Sequence, residues 1–511
     1  MLVLVSPALG CVQPTVRPAP SDTAMVSRDE AVRMGLASME YGQQFVVVCD
    51  HHGPSRFPYL GPGCSQVAGM SFGVHSDNWS SNYLNYDDPQ DPANAGLLTR
   101  QGYISLQLAD LAGYKALALL QAHRVTGNPS YLERFRSVFL RQILDKQLPS
   151  AALKLGAMQT FQAAFQPSLQ RDVMMDATGA FANSATLSSG PDGVLGTSDD
   201  TLTWRWNGSA AFQFAALAEA LAMYAQSERD AEVMNAVDRA GQFLRRLERQ
   251  TSAGVEEGTW AYAIAPRGGA PNRMTTALVA LALLRLSMLR SLPGAPEFHA
   301  AVRRAAAWLR RQPAPELDPV SSGAEIQVLL ASGEATAAAA TADALLARMT
   351  TPVSSSWGDH RYAGDPHAVG GISSPWGSGS FQATWFATYN VAGLLAIGRA
   401  TRTERYITAA DLLIRWLGDK LARTQRDAEV VYVQDLRGGV TRIDGGTWWG
   451  LYPEMYEPNA GSYEDTSHVV HETLPNLILQ WVNASSIDLA VRPASWLEQQ
   501  SQLDFERLLY D

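Results

Sequence analysis

The chain has 511 residues, of which 46% are hydrophobic and 18% charged, and its formal net charge is −10. That length allows one large domain or two to three ordinary ones. No uninterrupted apolar stretch reaches the roughly 18 residues of a membrane-spanning helix, so none is expected. The negative charge argues against nucleic acid as a partner, because no basic stripe is present to displace counterions from phosphates.

Residues 1–11, MLVLVSPALGC, are apolar and end in a cysteine that follows small residues. This ending resembles the lipobox of bacterial lipoproteins, although such endings also arise by chance. The next residues, VQPTVRPAPSDTA, are typical of a Pro-rich tether. We therefore expect a leader and tether over residues 1–23, a location in the bacterial cell envelope or outside the cell, and membrane contact only through lipid on Cys11.

The other two cysteines are Cys49 and Cys64. If Cys11 carries lipid, these two are predicted to form a disulfide across a short loop in an oxidising compartment. The alternative is that Cys49, which ends the apolar run FVVVC, is a buried thiol.

A repeated pair of helices is the strongest internal signal. YKALALLQAHRVTGNPSY begins at Tyr114 and YNVAGLLAIGRATRTERY begins at Tyr389, with Thr126 matching Thr401. Each stretch predicts a helix, a tight polar turn and a second, amphipathic helix. Tyr114 and Tyr389 are therefore expected at equivalent positions on two inner helices.

Looser copies of this pair occupy the rest of the chain. The first helix of each pair is rich in Ala and Leu on nearly all sides, while the second carries charge on one face, which predicts an inner and an outer ring. Six or seven such pairs close an all-α, (α/α) toroid, expected over residues 24–485, with a tail over residues 486–511. An open solenoid is the alternative, but solenoid repeats have near-constant length and the segments between these pairs vary widely.

Long insertions between the helical pairs combine aromatic residues with Asp, Asn and His, and a toroid gathers such insertions at one mouth. Aromatic rings bind the apolar faces of sugars and short polar side chains bind their hydroxyls, so this mixture predicts a carbohydrate cleft. Loops rich in Gly and Trp also serve as structural plugs. The candidate substrate-binding aromatic residues are Trp79, Tyr83, Tyr389, Trp448 and Trp449.

The stretch YEDTSHVVHETL, residues 463–474, places acids, histidines and a tyrosine just before an apolar run. If a helix begins near Thr466, Asp465 lies close to its positive end. His468 then has a carboxylate beside it, an arrangement that fixes one histidine tautomer for proton transfer. We predict His468 as a catalytic residue, while simple N-capping with a packed histidine is the alternative.

The helical pairs with RATRTERY-type turns, and EDTSH after the aromatic loop WWGLYPEMYEPNAGSY, resemble bacterial α/α-toroid enzymes that act on glycans. That group includes polysaccharide lyases and uronyl C5-epimerases. The resemblance implies a polysaccharide or oligosaccharide partner, a Tyr or His that removes the C5 proton of a uronic acid, and an Asn, His or Arg that neutralises its carboxylate. From residue type and loop placement, acid or base chemistry is expected of Tyr456, Tyr463 and His468, and neutralisation of Asn390, His360 and Arg361. We expect a monomer.

Other functions compete with this one. Hydrolysis would use Asp465 or Glu464 opposite Asp359 or Asp87. A non-catalytic glycan-binding lipoprotein would use the same aromatic loops only to hold a chain. A zinc site lacks HExxH or paired-cysteine spacing, and a terpene cyclase lacks its acidic motifs.

The segment GPDGVLGTSDD, residues 190–200, offers hard oxygen ligands within a tight turn. Asp192, Asp199 and Asp200 are candidate ligands for a structural calcium ion. An ordinary acidic surface turn is the alternative.

Overall fold

The computed structural model describes residues 27–43, 46–49, 57–58, 68–70, 103–107, 111–148, 152–155, 173–176, 178–181, 184–188, 190–192, 198–205, 211–228, 230–249, 257–262, 270–289, 291–373, 382–383, 389–426, 431–434, 440–443, 455–456 and 478–479.

The helices in chain order are α1 (Arg28–Gln43), α2 (Leu111–Thr126), α3 (Pro129–Arg134, a π-helical segment Phe135–Leu140 and Arg141–Asp145), α4 (Ala211–Glu228), α5 (Ala231–Arg246), α6 (Arg273–Ser287), α7 (Ala295–Leu309), α8 (Ser322–Ala331), α9 (Ala335–Leu346), α10 (Asn390–Thr401) and α11 (Glu404–Arg426).

Two kinds of helix alternate along the chain, as their sequences require. In α6, every residue from Thr275 to Ser287 is buried, because apolar residues cover all sides of the helix. In α5, the buried residues recur at the spacing of one helical face, and Asp230 caps the first turn by accepting hydrogen bonds from the backbone N–H groups of Glu232 and Val233. The first kind forms an inner layer and the second kind an outer layer.

The inner helices α2, α4, α6, α8 and α10 each pack against the next one in the chain. Close approach is possible where glycine replaces a larger side chain, as between Gly113 of α2 and Ala216 of α4, and between Gly323 of α8 and Gly393 of α10. The repeat is visible in detail, since the hydroxyls of Thr126 and Thr401 each donate to the carbonyl four residues earlier, at 2.7 Å.

The N-terminal helix closes the ring. Gly35 of α1 packs against Ile478 and Leu479, which are helical. On one side Met34 contacts Gly418 of α11, and on the other Glu40 forms an ion pair with Arg134 of α3, at 2.8 Å. Within the described residues α1 is therefore the outer helix of a sixth pair. The predicted (α/α) toroid is confirmed, with six pairs, and the open solenoid was the wrong alternative.

The long connections all begin and end at one mouth of the ring. Segments that lead from an inner to an outer helix are short turns, residues 127–128, 229–230, 288–294, 332–334 and 402–403. Segments that lead from an outer to an inner helix are longer, residues 44–110, 146–210, 247–272, 310–321, 347–389 and 427–477. The N-terminal ends of the inner helices therefore face the insertions, as predicted for a toroid.

All strands of the described residues lie in these insertions. They are β1 (Val47–Val48), β2 (Phe57–Pro58), β3 (Tyr103–Gln107), β4 (Ala152–Leu155), β5 (Val173–Asp176), β6 (Ser184–Ser188), β7 (Thr201–Arg205), β8 (Gln382–Ala383), β9 (Val431–Gln434), β10 (Val440–Ile443) and β11 (Met455–Tyr456).

Strand pairing joins neighbouring insertions. The order β3-β6-β7 forms an antiparallel sheet between the segments before α2 and α4. Strands β8 and β11 pair antiparallel and join the segment before α10 to the segment before residues 478–479. The remaining pairs are β1 with β2, β4 with β5 and β9 with β10.

Two further expectations can be compared with the structure. Cys49 is exposed and disulfide-bonded, so it is not a buried thiol. Its partner lies outside the described residues, and pairing with Cys64 stays a prediction. Among the helices that the structure describes, none is both long and apolar enough to cross a membrane. The leader, the tether and the C-terminal tail lie outside the described residues.

Candidate functional site

Two tyrosines meet at the mouth of the ring that carries the insertions. Tyr114 lies in the first turn of α2, and Tyr389 immediately precedes α10. Their hydroxyl oxygens are 2.9 Å apart, so one hydroxyl donates to the other. The two tyrosines match in the sequence repeat, each twelve residues before the threonine that ends its helix. The prediction that both lie on inner helices holds for Tyr114, whereas Tyr389 precedes its helix.

The backbone of Tyr389 is held in a conformation that non-glycine residues rarely adopt. Its φ is +66°, in the left-handed region, and such a conformation costs about 1–3 kcal/mol and persists only where its surroundings enforce it. Gly323 packs directly on the Tyr389 carbonyl group, where any side chain would collide. Asn390 also joins the beginnings of α8 and α10. Its Oδ1 accepts from the Gly323 N–H at 2.7 Å, and its Nδ2 donates to the Pro319 carbonyl at 2.7 Å.

A buried ion pair acts electrostatically on Tyr389 from within the inner ring. Nη1 of Arg285 in α6 donates to Oε2 of Glu219 in α4, and both side chains are almost fully buried. Burial raises the pKa of Glu219, while the neighbouring Arg285 lowers it. Inner helices supply all four side chains, since Tyr114, Glu219, Arg285 and Tyr389 come from α2, α4, α6 and the start of α10.

The Tyr389 phenol is a weak acid in this environment. Burial raises its pKa above the ordinary value, and the negative charge of Glu219 raises it further, whereas the hydrogen bond with Tyr114 and the charge of Arg285 act in the opposite direction. A phenol with a raised pKa keeps its proton at neutral pH. Tyr389 can therefore donate a hydrogen bond or a proton, but it is not a base at that pH.

The loop before α10 holds three of the polar residues named from the sequence. Arg361 is exposed and forms an ion pair with Asp359, with Nε and Oδ2 2.7 Å apart. Burial acts to raise the pKa of Asp359, but the hydrogen bonds from Arg361 outweigh it and the pKa is lowered. His360 is also exposed, and its Nδ1 lies 3.3 Å from the Thr351 hydroxyl. No contact of His360 or Arg361 with the tyrosine pair is seen.

Tyr456 belongs to a strand at the same mouth. In β11 it pairs with Gln382 of β8, seven residues before Tyr389 in the sequence. This pairing ties the chain that leads to residues 463–474 to the segment that leads to α10. The other predicted site residues lie outside the described residues, namely Trp79, Tyr83, Trp448, Trp449, Tyr463, Asp465 and His468.

Of the three predicted calcium ligands, Asp192 and Asp199 lie close together. The Asp199 carboxylate accepts from the backbone N–H of Asp192 at 3.2 Å and lies over Gly190. Among the residues that the structure describes, no group of three or more metal-ligating side chains is arranged to hold an ion. Calcium stays a prediction.

Glu219 and Arg285 are site residues that sequence reasoning missed. Each is a single charge within an apolar stretch, EALAMYA and LALLRLS, of a helix that is otherwise buried. Charged residues are almost never fully buried unless they are paired. An isolated charge on a predicted inner helix was therefore the available signal, and it implied a partner on a neighbouring helix.

No family model matches the chain, and no curated protein is similar to it in sequence. Solved structures do match. D-mannose isomerase has a TM-score of 0.51 and 10% identity, covering 91% of this chain and 99% of the isomerase. Unsaturated glucuronyl hydrolase from a Bacillus species, responsible for glycosaminoglycan degradation, has a TM-score of 0.48 and 14% identity, covering 90% and 97%.

Cellobiose 2-epimerase from Spirochaeta thermophila has a TM-score of 0.47 and 15% identity, covering 82% of this chain and 91% of the epimerase. These similar structures are all α/α-toroid enzymes that act on sugars. At 10% identity the similarity to D-mannose isomerase concerns the fold alone, and it agrees with the (α/α) toroid derived above.

Proposed function

We propose that this chain is a carbohydrate-active enzyme and that its reaction takes place at the mouth where the inner helices begin. The reaction we favour is proton abstraction from a sugar carbon, as in a polysaccharide lyase or an epimerase. The observation that carries the proposal is the Tyr114–Tyr389 pair, at the mouth to which all the long insertions belong. The enzymes with similar structures act on sugars, which agrees with this substrate class.

Tyr389 supplies the acid in this proposal. Because its pKa is raised, it gives up its proton only to a strong base, and both reactions generate one. In β-elimination, a base takes the C5 proton, the electron pair forms the C4–C5 double bond, the C4–O bond breaks, and the leaving alkoxide takes the Tyr389 proton. In epimerisation, the carbanion takes a proton on the face opposite the base.

The base comes from another residue, since Tyr389 is protonated. His468 remains our candidate, and the strand pair β8–β11 supports its placement at this mouth, because it anchors the chain twelve residues before His468. An imidazole with an ordinary pKa near 6.5 is suited to accept a proton at neutral pH.

Hydrolysis is the second candidate activity. Of the four carboxylates named for it, only Asp359 is among the described residues, and it is already engaged by Arg361. Hydrolysis therefore depends on Asp87, Glu464 and Asp465. The non-catalytic glycan-binding function makes no use of a tyrosine whose proton is retained by its surroundings.

The test is incubation of the purified chain with acidic and neutral polysaccharides in D2O. Absorbance near ~235 nm reports the unsaturated product of elimination, and deuterium incorporation without cleavage reports epimerisation. New reducing ends without that absorbance mean hydrolysis and contradict the proton-abstraction mechanism. Binding of a polysaccharide without any of these signals contradicts the enzyme proposal and favours the binding function.

A further inference from the structure

A second pair of aromatic residues lies at the mouth that carries the tyrosine contact. Phe212 is in the first turn of α4, and Tyr262 belongs to the connection that leads to α6. Their ring centroids are 6.3 Å apart, and the ring planes are inclined by 55°. Rings inclined in this way are not stacked face to face, so neither ring covers a whole face of the other. Neither residue was among the aromatic residues named from the sequence.

Phe212 lies on the side of α4 that faces the inside of the ring. Phe214 is two residues later, about 200° further around the helix, and it contacts Phe243 of the outer helix α5, with ring centroids 5.4 Å apart. Glu219 is seven residues after Phe212, within about 20° of the same direction, and it meets Arg285 of the inner helix α6. Phe212 therefore points away from the outer layer.

Tyr262 remains 40% exposed although the backbone just before it is fixed. Trp260 is fully buried, and its indole N–H donates to the Leu244 carbonyl at 2.8 Å. The backbone N–H of Trp260 donates to the Thr276 hydroxyl at 3.1 Å, and its carbonyl accepts from the Asn272 N–H at 2.9 Å. An exposed aromatic ring next to such a rigid support is pre-organised for a ligand, because little conformational freedom is lost when the ligand binds.

The two aromatic pairs occupy neighbouring parts of the mouth. Tyr114 and Tyr389 belong to α2 and the start of α10, whereas Phe212 and Tyr262 belong to α4 and the segment before α6. Helix α4 packs against α2 on one side and against α6 on the other. A ligand that contacts both pairs therefore extends along the mouth from the start of α2 to the start of α6, as a chain of linked sugar units can.

We propose that Phe212 and Tyr262 form a binding subsite for a second sugar unit, and that the substrate is a glycan chain rather than a single sugar. In this aromatic subsite the apolar C–H face of the sugar ring packs on the Tyr262 ring, beside Phe212. The inference rests on the proposed function, because it places one unit of the substrate next to the unit that reacts.

Removal of the Tyr262 ring should weaken the binding of glycan chains. Tyr262→Ala takes away the apolar surface on which the sugar packs, and we expect the affinity to fall about tenfold. Tyr262→Phe keeps the ring and should bind to within about twofold of the unchanged chain. Val353→Ala is the control, because Val353 is the other exposed large hydrophobic residue of the described structure and lies in the connection before α10. It should leave the affinity unchanged.

The experiment is electrophoresis of the full chain through native gels that contain alginate, hyaluronan, xylan, mannan or hydroxyethyl cellulose. Retardation of the protein measures its affinity for each polysaccharide. At least one of the five should retard the unchanged chain, and its constituent monosaccharide at the same sugar concentration should not restore the mobility. Circular dichroism of each variant confirms that the fold is retained before affinities are compared.

An aromatic pair without a role in binding predicts a different result. The subsite is overturned if none of the five polysaccharides retards the chain, or if Tyr262→Ala is retarded as strongly as the unchanged chain. Competition by the monosaccharide contradicts the preference for a glycan chain. Loss of retardation in Tyr262→Ala without any catalytic signal contradicts only the proposed activity, whereas catalysis with unchanged affinity in that variant contradicts only the subsite.

Discussion

The hydroxyl groups of Tyr114 and Tyr389 are 2.9 Å apart although the two residues are separated by 275 positions in the sequence. Equivalent positions of two repeats have converged on one hydrogen bond because both begin inner helices of a closed ring. The contact places two phenols at the mouth where the long connections begin and end. It makes Tyr389 the first residue to test.

Replacing Tyr389 with phenylalanine removes the hydroxyl group that acts as the acid and preserves the aromatic ring. We expect Tyr389→Phe to lower kcat by about 10²- to 10⁴-fold, the usual contribution of general acid catalysis. Steady-state kinetics on the substrate identified above will measure it. The control is Tyr406→Phe, because the Tyr406 hydroxyl donates to Asp343 at 2.6 Å near the short turns of the opposite mouth. Unchanged kcat in Tyr389→Phe would remove Tyr389 from the mechanism.

The raised pKa of Tyr389 can be tested without any substrate. Its folded-state pKa lies above the ordinary value of about 10. The phenol therefore keeps its proton as the pH rises through 10, where exposed tyrosines ionise. We expect the ultraviolet titration curves of the unchanged chain and of Tyr389→Phe to coincide up to about pH 10. A loss of phenolate absorbance in the variant below that pH would show that Tyr389 ionises normally.

Removing one member of the Glu219–Arg285 ion pair should destabilise the fold strongly. Arg285→Met leaves Glu219 buried and unpaired, and we expect the free energy of unfolding to fall by about 3–5 kcal/mol. Without Arg285 the folded-state pKa of Glu219 rises further, so Glu219 binds its proton more readily when folded than when unfolded. The loss should therefore be smaller at low pH and grow as pH rises through that folded pKa.

Denaturant unfolding at several pH values measures this effect. The double variant Glu219→Leu/Arg285→Met should recover most of the lost stability, because no isolated charge remains. The single variants Glu219→Leu and Arg285→Met are measured for comparison. If the loss of stability in the double variant equals the sum of their losses, the two residues do not stabilise each other, and the ion pair is not present in solution.

The backbone around Tyr389 depends on a glycine in the neighbouring helix. A methyl group at Gly323 would collide with the Tyr389 carbonyl and would lie 2.6 Å from the Asn390 Cα atom. We expect Gly323→Ala to cost about 1–3 kcal/mol of stability and to lower kcat by displacing Tyr389. Gly364→Ala is the matched control, since a methyl group there meets no atom within 4 Å. Equal stability of the two variants would contradict the close packing of α8 on α10.

Asn390 provides a test of structural against substrate-binding roles. Asn390→Ala leaves the buried Gly323 N–H and the Pro319 carbonyl without their side-chain partners. We expect the free energy of unfolding to fall by about 1–3 kcal/mol. Thermal unfolding with and without a saturating sugar ligand will measure it. A variant of normal stability that has lost only sugar affinity would return Asn390 to the binding role that its sequence position suggested.

The toroid could be predicted from the sequence because the sequence patterns that define it are local. Helical periodicity, the polar turns and the all-apolar first helices each depend on a few neighbouring residues. They correctly predicted the alternation of layers and the closure of the toroid. The insertions could be assigned to one mouth for the same reason, since every long segment leads from an outer to an inner helix.

The residues inside the ring could not be predicted in the same way. Glu219 and Arg285 are 66 residues apart, and their contact depends on how the ring curves between α4 and α6. Asn390 was predicted to neutralise a carboxylate from its residue type and its placement in a loop. Its side chain joins two helix ends, because the tight packing of α8 against α10 leaves a backbone N–H and a carbonyl in need of partners.

Closure of the ring by α1 has a consequence for synthesis and folding. The apolar side of α1 packs against Leu479 and contacts Gly418, so the first of the described helices to be synthesised is completed by the last described helical residues to be synthesised. The other five pairs can assemble in order through contacts between successive helices. Burial of Met34 and Gly35 waits for that late segment, which makes ring closure a long-range and therefore slow step of folding. A circularly permuted chain that begins at the 402–403 turn would make α11, residues 478–479 and α1 consecutive, and it would move the late contact to the packing of α10 against α11.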